Sequence, residues 1–222
     1  MTLWRPGYQI ALARELDRLS ITVVGLTECR MQGSGMHDVE DATVLYSGNE
    51  IHTNGVALML RKEARRSVTS WHPVSDRLLF ARLLHRHGHL SVVVAYAPTE
   101  QATDVDKNQF YDQLNTTIRS VHRHDELVLL GDFNAVTGES QAGLENVIGN
   151  FGSGITNDNS FRLLTFCAMH NLNILGSWFQ RKCIRCFTWK SHDLHTLKEI
   201  DHIISRNRTM FTSLRTYRSA ES

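Results

Sequence analysis

Five side chains stand where apolar runs give out. Glu28 closes "VVGLTE", Tyr96 closes "SVVVAY", Asp132 and Asn134 follow "LVLLG", and Asp201 lies inside "EIDHII". The set is three carboxylates, an amide and a phenol. Hard divalent cations prefer oxygen ligands, and Mg²⁺ takes one or two protein carboxylates while keeping waters and phosphate oxygens in its shell. The metal would offset charge on a phosphoryl transition state and one carboxylate could activate water. The amide and the phenol could donate hydrogen bonds to oxygens carrying developing charge. Phosphodiester hydrolysis is the natural chemistry of such a set. Taken singly, each acid at a strand end serves equally well as a turn or capping residue.

The elements that must position these groups follow from the switching apolar period. Pro6 opens a helix through "YQIALARELDRL", in which Ile10, Leu12, Leu16 and Leu19 follow a helical stripe. "ITVVGLTE" reads as a buried strand ending at Glu28. Strand-like runs follow at "ATVLYS", "GVALML", "RSVTSW", "RLLFARLL" and "LSVVVAYAP". Their close succession points to antiparallel meander rather than βαβ alternation. Residues 104–123 read as helix and "DELVLLGDFN" as another buried strand. A helix fits "DNSFRLLTFCAMHN", capped by Asp158 or Asn159, and short strands fit "NLNIL", "RCFTWK", "EIDHIIS" and "LRTYR". The sum is an α/β protein whose helices cover largely antiparallel sheets. If these strands are neighbours in packed sheets, the five polar groups converge on one rim.

Composition sets the bounds. With 222 residues, 41% hydrophobic and 21% charged, the chain suits a globular domain with a real core, and no linker-like stretch divides it. One domain over residues 1–222 is therefore expected. The first twenty residues lack the pattern of a secretory signal, and no run is long enough to span a bilayer, so a soluble intracellular protein is expected. Four cysteines are too sparse for a disulfide scaffold and read as reduced thiols. Net charge is +1, yet residues 181–222 hold 9 basic and 4 acidic side chains, against 15 and 19 in the rest. A basic C-terminal segment beside an acidic body suits a phosphate-bearing partner, and suits a plain solvated face as well.

Several motifs in order, "LTECR", "GVALML", "VVVAYAPT", "LLGDFNAVTG", "FTWKS" and "EIDHIIS", resemble the endonuclease/exonuclease/phosphatase superfamily. Within it the chain looks most like the apurinic-endonuclease-like domain of non-LTR retrotransposons and the craniofacial development protein 2-like sequences. The segment "NDNSFRLLTFCAMHNLNILGSWF" is similar to theirs. The resemblance implies a four-layer α-β-β-α sandwich with two mainly antiparallel sheets, and a DNA endonuclease using Mg²⁺, with Mn²⁺ as an alternative. By the same resemblance Glu28 matches the metal-binding glutamate and Tyr96 the tyrosine whose phenol approaches the scissile phosphate. Asp132 matches the aspartate that orients or deprotonates water, and Asn134 a partner of the phosphate or metal shell. Thr188 and Trp189 match a motif near the nucleic-acid groove, and Asp201 the aspartate that holds a catalytic histidine.

Two departures from that pattern are visible. No Asn lies in the "MTLWR" that precedes Pro6, where the family has a metal-shell asparagine, and no Ser-Asp-His follows "RTYRSAES". His202 cannot stand in for the missing histidine by motif. The resemblance therefore leaves two readings open: an endonuclease with weakened or lost activity, or an inactive fold that binds nucleic acid or protein. A phosphatase of lipids or inositol phosphates, or a nuclease acting from RNA ends, would share the same centre. The retrotransposon-like segment from Asn157 to Trp189 favours DNA.

Other constellations read as structural. Cys183 and Cys186 form CxxC ahead of His192 and His195, but the pairs lie too close together for common zinc sites, and no zinc is expected. The histidines of "LLHRHGHLS" read as a solvated hairpin turn with Gly88 in the bend. Trp71 and Trp178 read as packing residues, whereas Trp189 lies in the basic segment and could stack on a base.

Overall fold

The computed structural model describes residues 6–139, 142–182, 185–191 and 195–216. The chain forms two compact units, the first comprising the residues up to Tyr96 with Asn108–Gly131, the second Ala97–Lys107 with the residues from Asp132 onward.

In the first unit α1 (Pro6–Arg18) precedes β1 (Val23–Thr27), β2 (Ser34–Val39), β3 (Ala42–Ser47) and β4 (Val56–Arg61). These four strands form an antiparallel sheet in the order β1-β4-β3-β2. A short helix, α2 (Lys62–Arg65), leads to β5 (Val68–Ser75), β6 (Leu78–His85) and β7 (Gly88–Tyr96). These strands pair as an antiparallel meander, and β8 (Glu126–Asp132) lies next to β7. In the hairpin between β6 and β7, Gly88 pairs with His85 instead of occupying the bend, and His85 and His87 are exposed.

Alternation along the strands builds the layers. Leu79, Ala81, Leu83, Val92, Val94 and Tyr96 pack against Leu45, Val56, Leu58 and Leu60 between the two sheets. On the outer face of the first sheet, Ala13 and Leu16 of α1 pack on Val44, Ala57 and Met59. The outer face of the second sheet is covered by α3 (Asp104–Arg119), whose Phe110, Leu114 and Ile118 are buried at helical spacing. Residues of α3 and of β5 and β6 line one cleft there, including His72, Phe80 and Gln113. The result is a four-layer α-β-β-α sandwich with mainly antiparallel sheets, as the resemblance implies.

One buried ion pair ties the far end of this unit together. Arg82 donates to both oxygens of Asp125 at 2.7 and 2.9 Å, and Ser91 donates to the same carboxylate at 2.9 Å. The Asp125 carboxyl is held down to about 2, first by the Arg82 hydrogen bond and against the upward push of burial.

The second unit contains α4 (Asp158–Met169), β9 (Asn173–Ile174), β10 (Trp189–Lys190), β11 (Leu197–Lys198) and β12 (Asp201–Ser205). β9 pairs antiparallel with β12, and β10 with β11. Three expectations change here. The cap of α4 is Asn157, whose Oδ1 accepts from Ser160 N at 3.0 Å, because Asp158 is engaged by Lys107 and Arg162 and the Asn159 amide is spent elsewhere. The strands expected over "NLNIL" and "RCFTWK" shrink to two residues each, the former passing into a 3₁₀ turn at Leu175–Trp178. Residues 214–216 are not strand, and Tyr217 and Arg218 of "LRTYR" lie outside the described residues. Cys183 and His192 of the CxxC reading also lie outside them. Cys29 and Cys167 are buried free thiols, and Cys186 is half-buried. No helix of the described residues is long and apolar enough to cross a membrane.

Candidate active site

In the first unit β1 stops at Thr27, and Glu28 takes the left-handed conformation at φ 55°. That conformation costs a non-glycine residue ~1 kcal/mol or more, and neighbouring structure must impose it. Cys29 N and Arg30 N donate to the carbonyls of Gly55 and Asn54 at 3.0 and 2.8 Å. The Cys29 side chain is wholly buried, and burial pushes its thiol up to about 12, so it anchors and does not react. Glu28 is thereby turned toward the end of β7. Tyr96 Oη donates to Glu28 Oε1 at 2.9 Å. Glu28 Oε2 has no hydrogen-bond partner among the described residues.

Arg77 braces Tyr96 and was not evident from sequence, where it reads only as the first residue of the strand-like run "RLLFARLL". Its guanidinium lies 4.9 Å from the Tyr96 ring centroid and donates to Tyr96 O at 3.1 Å. The neighbouring Asp76 accepts from Asn49 and Asn54 at 2.9 and 2.8 Å, fixing the loop that carries the Gly55 carbonyl.

The end of β8 is set by Gly131. It sits at φ 145°, and a Cβ there would lie 1.9 Å from the Ala95 carbonyl oxygen, so only glycine lets β8 run this close to β7. Asp132 and Asn134 follow directly. In the second unit Asp132 Oδ1 accepts from Asn134 N at 2.8 Å, and Ala97 N donates to Asp132 O at 2.8 Å. Phe133 between them is fully buried.

Asn134 is also left-handed, at φ 48°. Its Nδ2 donates to Ala97 O at 2.9 Å, and Oδ1, with no partner among the described residues, is the atom that can accept from water. A second asparagine holds it. Asn159 Nδ2 donates to Pro98 O at 3.0 Å and to Asn134 O at 3.1 Å, while Asn159 N donates to Glu100 Oε2 at 3.1 Å. Asn159 is 2% exposed and reads from sequence only as a cap; its role comes from a carbonyl 25 residues away.

Asp201 is exposed at the start of β12, and Thr188 Oγ1 accepts from Ile200 N and Asp201 N at 3.1 and 3.2 Å. Trp189 is 42% exposed, with Lys198 Nζ 5.9 Å from its ring centroid. Trp189, Lys198, Asn134 and Gln101 line one pocket of ≈ 270 Å³. His202 turns the other way: it is buried, and its Nε2 lies 2.8 Å from Ala135 O. The structure thus joins Glu28 to Tyr96 in one unit, and in the other joins Asp132 to Asn134 and Thr188 to Asp201. Among the described residues no group of three or more His, Cys, Asp or Glu could hold a metal ion.

Comparison with known proteins gives three kinds of match. The sequence pattern of the Endonuclease/Exonuclease/phosphatase family matches residues 5–222. Craniofacial development protein 2 of Bos taurus is 31% identical over 204 residues, covering 91% of this chain and 34% of that protein. Its counterpart from Tragulus javanicus is 30% identical over 204 residues, with 91% and 35% covered. The chain spans about a third of the length of these relatives. The endonuclease domain of TRAS1, a telomere-specific non-LTR retrotransposon, superposes with a TM-score of 0.64 at 14% identity, over 95% of this chain and 84% of that one. D. rerio TDP2 complexed with single-strand DNA product superposes with a TM-score of 0.56 at 13% identity, over 91% and 78%. At such identities the two structures share the fold.

Proposed function

Since the chain belongs to the endonuclease/exonuclease/phosphatase family, whose members are generally divalent-metal dependent, we propose that it hydrolyses phosphodiesters of DNA with Mg²⁺. The observation that carries this reading is Glu28: a carboxylate held in a strained backbone conformation, one oxygen oriented by the Tyr96 phenol and the other open. A hard cation needs only one or two protein carboxylates, so Glu28 fits that role without a larger cluster. When bound, the metal would supply charge neutralisation at the phosphoryl group and a more acidic water.

The remaining work belongs to the chain. Asp132, whose Oδ1 is tied to the Asn134 amide, would orient the attacking water and take its proton. Asn134 would accept a hydrogen bond from that water through Oδ1, its position fixed by Ala97 and Asn159. The Tyr96 phenol would turn its single proton from Glu28 to a phosphate oxygen as charge develops, steadied by Arg77. Asp201 would act from the start of β12, and Trp189 beside Lys198 would meet a base and its backbone.

DNA is supported as substrate by the segment from Asn157 to Trp189 and by the DNA named for TDP2 and the retrotransposon origin of TRAS1. Initial rates on duplex DNA, RNA and inositol phosphates in Mg²⁺ test the assignment. Fastest turnover is expected on duplex DNA; faster release of phosphate from inositol phosphates would refute it.

A further inference from the structure

A second cleft opens at the end of β12 opposite Asp201. Asp201 and Ser205 are the two ends of that strand, about 13 Å apart at ~3.3 Å per residue. The cleft measures ≈ 470 Å³, and its lining includes Arg206, Arg208, Trp178, Asn146 and Asn171 but no carboxylate. This volume is that of a small-molecule site.

The two arginines are the charged groups among its lining residues. Neither forms an ion pair with a described residue. Arg208 instead lies over a ring, its guanidinium 3.9 Å from the Trp178 ring centroid. That ring is itself fixed, because Trp178 Nε1 donates to Val147 O at 3.4 Å. A flat guanidinium held by stacking keeps its edge donors for a planar or tetrahedral anion. The backbone that carries both arginines is braced on each side: Asn173 Nδ2 donates to Ser205 O at 3.3 Å, and Asn207 Oδ1 accepts from Thr209 N at 3.2 Å.

Two cations without a counter-charge repel each other, and a ligand carrying close to two negative charges relieves that cost. A phosphate monoester carries about −1.5 to −2 at neutral pH. The exposed amides of Asn146 and Asn171 add paired donor and acceptor groups of the kind that read base edges. We propose that this cleft binds a nucleotide through a terminal phosphate monoester. The site is separate from the proposed hydrolytic residues and stands whether or not the chain cuts DNA.

Isothermal titration of the full chain with AMP, adenosine and inorganic phosphate tests the proposal. AMP should bind more tightly than phosphate, and adenosine should not bind. Arg206→Ala and Arg208→Ala should each weaken AMP by at least ~10-fold. Arg206 stacks on no ring of a described residue, so its variant remains informative if Arg208→Ala disturbs Trp178. Asp132→Ala should leave AMP binding unchanged, which separates this cleft from the hydrolytic reading. Oligonucleotides with a 5′-phosphate or a 5′-hydroxyl distinguish a strand end from a free nucleotide as the source. The proposal is overturned if both arginine variants bind AMP like the parent, if Asp132→Ala abolishes binding, or if a phosphoserine peptide binds more tightly than AMP.

Discussion

Tyr96 Oη reaches across 68 residues of sequence to donate a 2.9 Å hydrogen bond to Glu28 Oε1. The contact fixes which oxygen of Glu28 is occupied and which is open. Two variants separate the partners. Glu28→Gln should weaken Mn²⁺ binding, followed by calorimetry or paramagnetic resonance, by ~10- to 100-fold. Tyr96→Phe should leave Mn²⁺ affinity within a few-fold and cut turnover by ~10²-fold or more, because a donor to developing charge acts in the transition state. Equal loss of metal in both variants would contradict the division of labour.

Asn159 is a positioning residue for Asn134. Replacing it with Ala removes donors to two carbonyls and should cost about 2 kcal/mol of stability, read by urea unfolding. Asn159→Asp should rescue neither stability nor turnover, since a carboxylate cannot donate to Pro98 O and Asn134 O. A purely volumetric role for Asn159 would instead make the Asp variant nearly normal.

Acid should act on the first unit through Asp125. Its carboxyl is lowered from the ordinary 3.8 to about 2 in the folded protein by Arg82 and Ser91. A depressed carboxyl stabilises the fold above the unfolded value and loses that contribution as pH falls through the folded one. The contribution is on the order of 2 kcal/mol at neutral pH. Asp125→Asn should therefore lower the urea midpoint at pH 7, and the gap from the parent should close between pH 4 and pH 2. A gap constant across that range would assign the effect to packing.

Much of this was legible in the sequence because the buried strands declare themselves. "SVVVAY" and "LVLLGD" are continuous apolar runs flanked on both faces by packed layers, and both form strands ending at the expected polar residues. β2, by contrast, is an edge strand of sequence "SGMHDV" in alternating exposed and half-buried positions. Its register comes from β3, and its own residues carry little apolar signal. The positions of Glu28, Tyr96, Asp132 and Asn134 at strand ends could be read, but their partners could not. Arg77 and Asn159 act through a ring and carbonyls distant in sequence, and the left-handed turns at Glu28 and Asn134 are imposed by hydrogen bonds from other segments.

The most direct test of the central claim is nicking of supercoiled plasmid by the purified chain in Mg²⁺, with Asp132→Ala beside it. The account predicts that the parent converts supercoiled DNA to open circles, that EDTA stops it, and that Asp132→Ala slows it by at least ~10²-fold. Equal nicking by both proteins, or none by the parent in either Mg²⁺ or Mn²⁺, would contradict it.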